Sequence, residues 1–310
     1  MDIQHIVIAS PMHKEIQKII EEKGLDKDFR YLSDEELTQN DLDWADAFVS
    51  FSMKGEFDYQ KLKWVHSLGA GVDRFLYKQE WPEGVTLTRT VCSFGQRIAE
   101  YCLSYLLKDL QEHDQFHSFK QQKSWQPMTP RLLNEQKVMI YGTGEIGQTT
   151  AQILSSFGVE VYGVSLSGKV KEGFKQVMTL DDHYEKLSEM DYIINTLPLT
   201  EQTFKLFNEK IFGLLSARGF INVGRGASLD EGALLNAFAK NQLKFAVLDV
   251  FAEEPLPVNN QLWEHPNVII TPHISAVTTA REGVECFIET LKNIEESKML
   301  FNKVDVTRGY

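Results

Sequence analysis

The sequence predicts an α/β chain of parallel strands joined by helices, and three observations carry that reading. Short apolar runs rich in β-formers alternate with helical stretches along most of the chain. One such run, Val138 to Tyr141, leads into Gly142-Thr143-Gly144-Glu145-Ile146-Gly147, and a helix and a second apolar run follow. The length of 310 residues suffices for two domains of ordinary size.

In chain order, Ile3 to Ala9 reads as a strand and Lys14 to Lys23 as a helix closed by Gly24. Phe29 to Leu32 suits a second strand, Asp34 to Leu37 an acidic-capped turn of helix, and Ala47 to Ser52 a third strand. Leu62 to Ser67 is a fourth strand that runs into Leu68-Gly69-Ala70-Gly71-Val72-Asp73, and Val85 to Thr90 is a fifth. Strands alternating with short helices make parallel βα units, so roughly the first hundred residues form an α/β domain of their own. The Gly69-Ala70-Gly71 turn stands at a strand's C-terminal end, where open α/β sheets bind ligands. It reads equally well as an amide nest for a small carboxylate or as a tight turn and nothing more.

Ile98 to Phe119 is predicted as one long helix, with Ile98, Tyr101, Cys102, Tyr105, Leu106 and Leu110 on one face. Residues 120 to 136, with Trp125, Pro127 and Pro130, read as irregular and as an arm suited to a subunit interface. His113 and His117 have the spacing of a metal clasp, but the adjacent Glu112 and Asp114 make this a solvated polar face, so no metal site is expected.

The glycine-rich unit comes next and organises the rest. Ile146, Thr150, Ile153, Leu154 and Phe157 recur at helical spacing, Gly158 ends the helix, and Val159 to Val164 is a second buried strand. In this strand–turn–helix–strand setting Gly142 permits the turn, Gly144 lets a pyrophosphate approach the backbone, and Gly147 lets helix and strand pack closely. The helix offers free amides and its positive end to the phosphates. Glu145 puts a carboxylate beside them, compatible only with a side chain turned to solvent. The acidic residue that would bond a ribose 2′-hydroxyl at the end of the second strand is replaced by Ser165. Ser165, Ser167 and Lys169 suit a 2′-phosphate better, so NADP(H) is expected over NAD(H).

Four more strands follow. Tyr192 to Thr196 ends in Leu197-Pro198-Leu199-Thr200, and Gly219 to Val223 ends in Gly224-Arg225-Gly226. Phe245 to Val250 contains Asp249, and Val268 to Thr271 precedes Pro272-His273. Arg225, Glu254 and His273 thus fall after three different strands, all on the expected ligand-binding edge. Together they form a working set for hydride transfer to a 2-oxo acid. His273 exchanges a proton with substrate, Glu254 bonds the other ring nitrogen, and Arg225 pairs with a carboxylate in a forked geometry. Gly142, Gly144, Glu145, Ile146, Gly147, Ser165, Leu197, Pro198 and Val223 are expected to line the dinucleotide.

Six segments, WVHSLGAGVD (64 to 73), GTGEIG (142 to 147), INTLPLT (194 to 200), INVGRG (221 to 226), LDVFAEEP (248 to 255) and TPHI (271 to 274), resemble the D-isomer-specific 2-hydroxyacid dehydrogenase family in order and spacing. The resemblance covers nearly the whole chain and suggests a glyoxylate or hydroxypyruvate reductase type. It implies a Rossmann-type dinucleotide-binding domain, residues 100–276, inserted into a flavodoxin-like substrate domain formed by 1–99 and 277–310. It further implies that Arg225 binds the substrate carboxylate and carbonyl, that His273 is the acid/base with Glu254 as partner, and that Asp249 contacts the nicotinamide carboxamide. Ala70 and Gly71 would offer amides to the substrate carboxylate. Two alternatives share the fold: a non-catalytic dinucleotide-sensing module resembling the C-terminal-binding corepressors, and a formate- or phosphite-type dehydrogenase.

A net charge of −12 and a pI near 5.2 argue against nucleic acid or an anionic membrane as partner. The N-terminus lacks a basic signal-peptide region, and no apolar run reaches the length of a membrane span. Cys92, Cys102 and Cys286 are odd in number and lack metal spacing, so reduced thiols and a cytoplasmic location are expected. A homodimer is expected, with residues 120 to 136 as its interface arm.

Overall fold

The computed structural model describes residues 1–51 and 57–310. The chain forms two compact units, Met1–Cys92 with Thr278–Tyr310, and Ser93–Val277.

The first unit holds β1 (His5–Ala9), β2 (Asp28–Leu32), β3 (Ala47–Ser50), β4 (Trp64–Ser67) and β5 (Thr86–Arg89). All pair in parallel, in the order β2-β1-β3-β4-β5, which is the flavodoxin-like doubly wound order. The helices are α1 (His13–Lys23), α2 (Gln39–Trp44) and α3 (Asp73–Leu76). Ser52, expected to end the third strand, lies outside the described residues. Alternation along the strands sends Ile6, Ile8, Ala47, Val49 and Trp64 to one face and Val7, Ala9, Phe48 and Val65 to the other. Both faces are apolar because helices cover both.

The helical turn expected at Asp34–Leu37 is not helical. There the Glu36 carboxylate accepts from the Ser33 amide and hydroxyl, a local bond that competes with helix. Helix α2 begins further on, at Gln39, where the Asp41 carboxylate accepts from the Thr38 amide.

The second unit holds α4 (Phe94–Leu110), α5 (His113–Gln121), β6 (Lys137–Tyr141), α6 (Glu145–Ser156), β7 (Glu160–Val164), β8 (Gln176–Met178) and β9 (Tyr192–Asn195). It continues with α7 (Glu209–Gly213), β10 (Ala217–Asn222), α8 (Glu231–Ala239), β11 (Leu243–Leu248) and β12 (Val268–Ile270). Its seven parallel strands run β12-β11-β10-β9-β6-β7-β8, a Rossmann-type order whose direction reverses between β6 and β9. Val138, Ile140, Tyr192, Ile194, Ile221 and Val247 face one apolar layer, which includes residues of α4 and α6. Met139, Tyr141, Ile193, Phe220, Ala246 and Leu248 face the other, which includes residues of α7 and α8.

The single long helix expected over Ile98–Phe119 is two helices. Arg131 explains the break: its amide donates to the Leu110 carbonyl at 3.1 Å and its guanidinium to the Asp109 carbonyl at 3.3 Å. These are acceptors the next helical turn would have used, and Glu112 takes a left-handed conformation (φ 54°) instead. Asp109 also locks α4 to the sheet. Its carboxylate accepts from Arg218 Nε and Nη2 at 2.7 and 2.8 Å and from the Tyr192 hydroxyl at 2.6 Å. Burial alone would raise this carboxyl's pKa, but the Arg218 and Tyr192 bonds outweigh it and hold the group below its ordinary value.

Residues 278–310 return to the first unit. Helix α9 (Ala280–Glu295) buries Val284, Phe287 and Leu291 in the layer that contains Ile16 and Ile20 of α1. Phe287 stacks on Trp64 with ring planes 4° apart and centroids 5.3 Å apart. Trp64, Phe75 and Phe94 are all core residues.

A buried polar ladder lies between β4 and β5. Thr88 Oγ1 accepts from Trp64 Nε1 at 2.8 Å and is 2.8 Å from His66 Nδ1, while His66 Nε2 lies 3.2 Å from Thr90 Oγ1. His66 is fully buried, and burial pushes its pKa down to about 3. The unfolded chain takes up this proton as pH falls below about 6.5, whereas the folded chain does so only near 3. Stability contributed by the neutral ring is therefore complete above 6.5 and is lost as pH falls toward 3, by about 1.4 kcal/mol per pH unit. His66→Gln should flatten the acid limb of a denaturant-derived stability profile between pH 6.5 and 4.5 by about one proton's worth of slope; a limb as steep as wild type would refute this.

Candidate active site

The second unit's site begins at the sheet's reversal point. Gly142, directly after β6, has φ 95°, a region costly for any other residue. A Cβ on Gly147 would lie 1.9 Å from the Gly142 carbonyl oxygen, so only glycine allows α6 to start this close to the strand. A Cβ on Gly144, by contrast, would meet nothing within 4 Å: the space over this residue at the N-terminus of α6 is open. Glu145 is exposed, Ile146 packs partly against the α4–α6 layer, and Thr196 Oγ1 donates to the Tyr141 carbonyl across the reversal at 2.9 Å.

At the end of β7, the Ser165 amide donates to the Met178 carbonyl while its hydroxyl is buried without a hydrogen-bond partner. Lys169 is exposed. The cation the structure brings to the glycine turn is Lys171, whose ammonium donates to the Thr143 carbonyl at 2.6 Å. The sequence reading missed it, because the alternation of Lys169 and Lys171 in an irregular loop does not say which one turns inward. An orphaned buried hydroxyl, a cation and an open amide terminus fit a dinucleotide's ribose phosphate and pyrophosphate.

Beyond the reversal, Leu197 donates its amide to Asn195 Oδ1, and the Pro198 carbonyl accepts from Thr203 Oγ1 at 2.7 Å. Val223 is buried and donates its amide to the Asn195 carbonyl. Under them lies a buried polar network that the sequence reading did not find. Asn195 Nδ2 donates to Asn222 Oδ1 and to Ser228 Oγ, and Asn222 Nδ2 and the Ser228 hydroxyl donate to the Arg225 carbonyl. This fixes the backbone of Arg225, whose Nη1 donates to the Gly224 carbonyl at 2.7 Å. A Cβ on Gly226 would lie 1.9 Å from the Phe251 carbonyl carbon, so the Arg225 loop sits against the segment leaving β11.

Glu254 and His273 meet. His273 Nδ1 lies 2.9 Å from Glu254 Oε2, and Glu254 Oε1 accepts from the Phe251 amide at 2.9 Å. An ionised carboxylate only accepts, so Nδ1 carries the proton and Nε2 lies outside this bond. The imidazole side chain is 49% exposed and its backbone is left-handed, φ 55°. That conformation is sparsely populated for a residue with a Cβ and is held from several directions. The His273 amide donates to the Asp249 carbonyl, and the Asp249 carboxylate accepts from the Ile274 and Ser275 amides and from Thr271 Oγ1. Because Thr271 gives its proton to Asp249, Tyr101 donates to Thr271 Oγ1 at 2.6 Å. Asp249, expected inside a strand, is the first residue past β11 and is fully buried.

Arg225, Glu254 and His273 therefore follow β10, β11 and β12, three adjacent strands, at one edge of one sheet. Ala70 and Gly71 belong to the first unit, in the turn after β4. His117 is bonded to Gln121 rather than gathered with other ligands, and no metal-binding cluster occurs among the described residues. No helix among them is long and apolar enough to cross a membrane.

Residues 103–275 match the family model for the D-isomer specific 2-hydroxyacid dehydrogenase NAD binding domain. Glyoxylate/hydroxypyruvate reductase A of Serratia proteamaculans is 35% identical over 257 residues, covering 81% of this chain and 82% of the relative. Among solved structures, the D-isomer specific 2-hydroxyacid dehydrogenase of Xanthobacter autotrophicus Py2 in complex with NADPH and MES superimposes with a TM-score of 0.88 at 28% identity, over all of both chains. The NADPH-dependent glyoxylate/hydroxypyruvate reductase of Sinorhizobium meliloti, in complex with NADP and sulfate, gives 0.86 at 27% identity over 99% of this chain and 100% of that one. With this likeness and the sheet-edge constellation together, the chain belongs to the D-isomer specific 2-hydroxyacid dehydrogenase family, an oxidoreductase family.

Proposed function

We propose that this protein reduces a small 2-oxo acid of the glyoxylate or hydroxypyruvate kind, with NADPH as the preferred cofactor. The 2.9 Å contact between His273 Nδ1 and Glu254 carries the reading. It fixes the tautomer and leaves Nε2 as the proton-exchanging atom at the edge where a dinucleotide-binding sheet holds its ligand. When bound, the nicotinamide supplies the hydride. His273 gives a proton to the carbonyl oxygen as the hydroxyl forms, and Glu254 stabilises the imidazolium from which it comes. Arg225 binds the substrate's carboxylate and polarises its carbonyl. In the first unit, the amides of Ala70 and Gly71 are suited to carboxylate oxygens. Asp249 holds the His273 loop, and the family resemblance assigns it the nicotinamide carboxamide.

Lys171 and the unpartnered Ser165 hydroxyl favour a 2′-phosphate. The glycine turn with Glu145 and Ile146, and the loop of Leu197, Pro198 and Val223, hold the remainder of the dinucleotide. The charge of −12 and the reduced cysteines fit a cytoplasmic protein. The segment after α5 exposes Trp125 at 97%, with Met128 and Leu132 also exposed, and a homodimer would cover these side chains.

Initial rates, followed as loss of reduced-nicotinamide absorbance with glyoxylate, hydroxypyruvate, pyruvate and a bulky 2-oxo acid, should be highest with a small acid and NADPH. No turnover with either cofactor would overturn the assignment. His273→Ala should lower kcat by about a hundredfold or more with NADPH affinity retained. Arg225→Ala should act chiefly on substrate KM, and an unchanged KM would remove Arg225 from substrate binding. In sedimentation, the wild type should run as a dimer and Trp125→Ala should dissociate at lower dilution; a monomeric wild type would refute the dimer.

A further inference from the structure

The turn after β4 is a built amide site, and its construction involves a residue with no role in the sequence reading. Ser67 Oγ lies within hydrogen-bonding distance of the Gly69 and Gly71 carbonyls, at 3.2 and 3.0 Å. Arg89 Nη1 donates to the carbonyl of Ala70 at 3.1 Å. The Ala70 carbonyl is thus held by Arg89, and the single Ser67 hydroxyl proton is shared between the Gly69 and Gly71 carbonyls, whereas neither the Ala70 nor the Gly71 amide donates a hydrogen bond among the described residues. A trans peptide points its N–H opposite to its C=O. Turning the Ala70 carbonyl toward the guanidinium therefore turns the Gly71 amide away from it, as an open donor.

Arg89 is itself held from the backbone side. Its amide donates to the Asn302 carbonyl at 3.1 Å, and its carbonyl accepts from Asn302 Nδ2 at 2.8 Å. Asn302 is fixed in turn by Thr290 of α9, at 2.8 Å. A charged donor on a carbonyl draws electron density from its peptide and strengthens the N–H on the other side.

We infer that Arg89 is a positioning residue for substrate: by clasping and polarising the Ala70–Gly71 peptide it sets the affinity of the Gly71 amide for the carboxylate of the 2-oxo acid. This rests on the function proposed above. Arg89 reaches the substrate through the peptide, so its loss acts on carboxylate binding rather than on proton or hydride transfer.

The test compares wild type, Arg89→Gln and Arg89→Lys by steady-state kinetics, and by calorimetric titration of oxalate, a non-reducible dicarboxylate, onto the protein with NADP+. Arg89→Gln should raise KM for glyoxylate by about tenfold, leave kcat and KM for NADPH within about twofold, and weaken oxalate by a similar factor. Arg89→Lys, which keeps the charge and one donor, should recover most of the loss. Unchanged KM and oxalate affinity in Arg89→Gln, beside an active wild type, would overturn the clasp alone. Equal losses in kcat, NADPH affinity and thermal stability, not recovered by lysine, would also overturn it by showing a merely structural role. A wild type that binds oxalate but reduces no 2-oxo acid would overturn the functional reading, while the variants' oxalate affinities would still decide the clasp. If Arg89→Gln fails to fold, Arg89→Met takes its place and is read by the same outcomes: a raised KM and weakened oxalate with kcat unchanged support the clasp, and wild-type KM and oxalate affinity overturn it.

Discussion

The buried carboxylate of Asp249 is the constraint on which the active edge depends. A charge taken fully out of water must be met by donors, and three groups meet it: the amides of Ile274 and Ser275 and the hydroxyl of Thr271, which in turn accepts from the phenol of Tyr101. Satisfying it sets the path of residues 271–275. The histidine between them has little choice but the left-handed backbone that aims its ring at Glu254. Burial, reinforced by the nearby Asp249 charge, pushes the Tyr101 phenol well up, so it remains a donor wherever the protein is folded. The geometry of the Glu254–His273 pair is thus maintained by a residue that shows no surface to solvent.

Close backbone approaches do the same work for the neighbouring loops. The contact of Gly226 with Phe251 joins the Arg225 loop to the segment that begins the Glu254 turn, and Gly224 sits under the Leu197 carbonyl, where a Cβ would come within 2.7 Å. Asn195, Asn222 and Ser228 then pair with one another and with the Arg225 carbonyl. The loops of Arg225 and Glu254 are thus pinned by sterics on one side and by hydrogen bonds on the other. The result is a preorganised edge rather than a set of independent loops.

Much of this was legible in the residues. Short apolar runs rich in β-formers and the glycine pattern locate the strands and the dinucleotide turn, and the Arg225, Glu254 and His273 positions follow from strand ends. What was not legible depends on tertiary pairing. Periodicity alone could not show that Arg131, far along the chain, would occupy the carbonyls ending α4, nor that Ser33 and Glu36 would bond locally and hold off a helix. Lys171 was hidden for a related reason: in an irregular loop nothing in the spacing says which lysine turns inward. Asp249 could be placed by resemblance, but its service to the His273 loop needed coordinates.

The discontinuity of the first unit bears on how the protein is made. Residues 1–92 leave the ribosome carrying only part of their core, because the face that includes Trp64, Ile16 and Ile20 is completed by Phe287, Val284 and Leu291 of α9. The intervening residues 93–277 contain a whole seven-stranded sheet with both faces covered and can fold as a unit while synthesis continues. The order of maturation thus runs against the order of translation. Until α9 emerges the N-terminal segment lacks part of its apolar cover, and a loss of α9 would leave that face of the unit open.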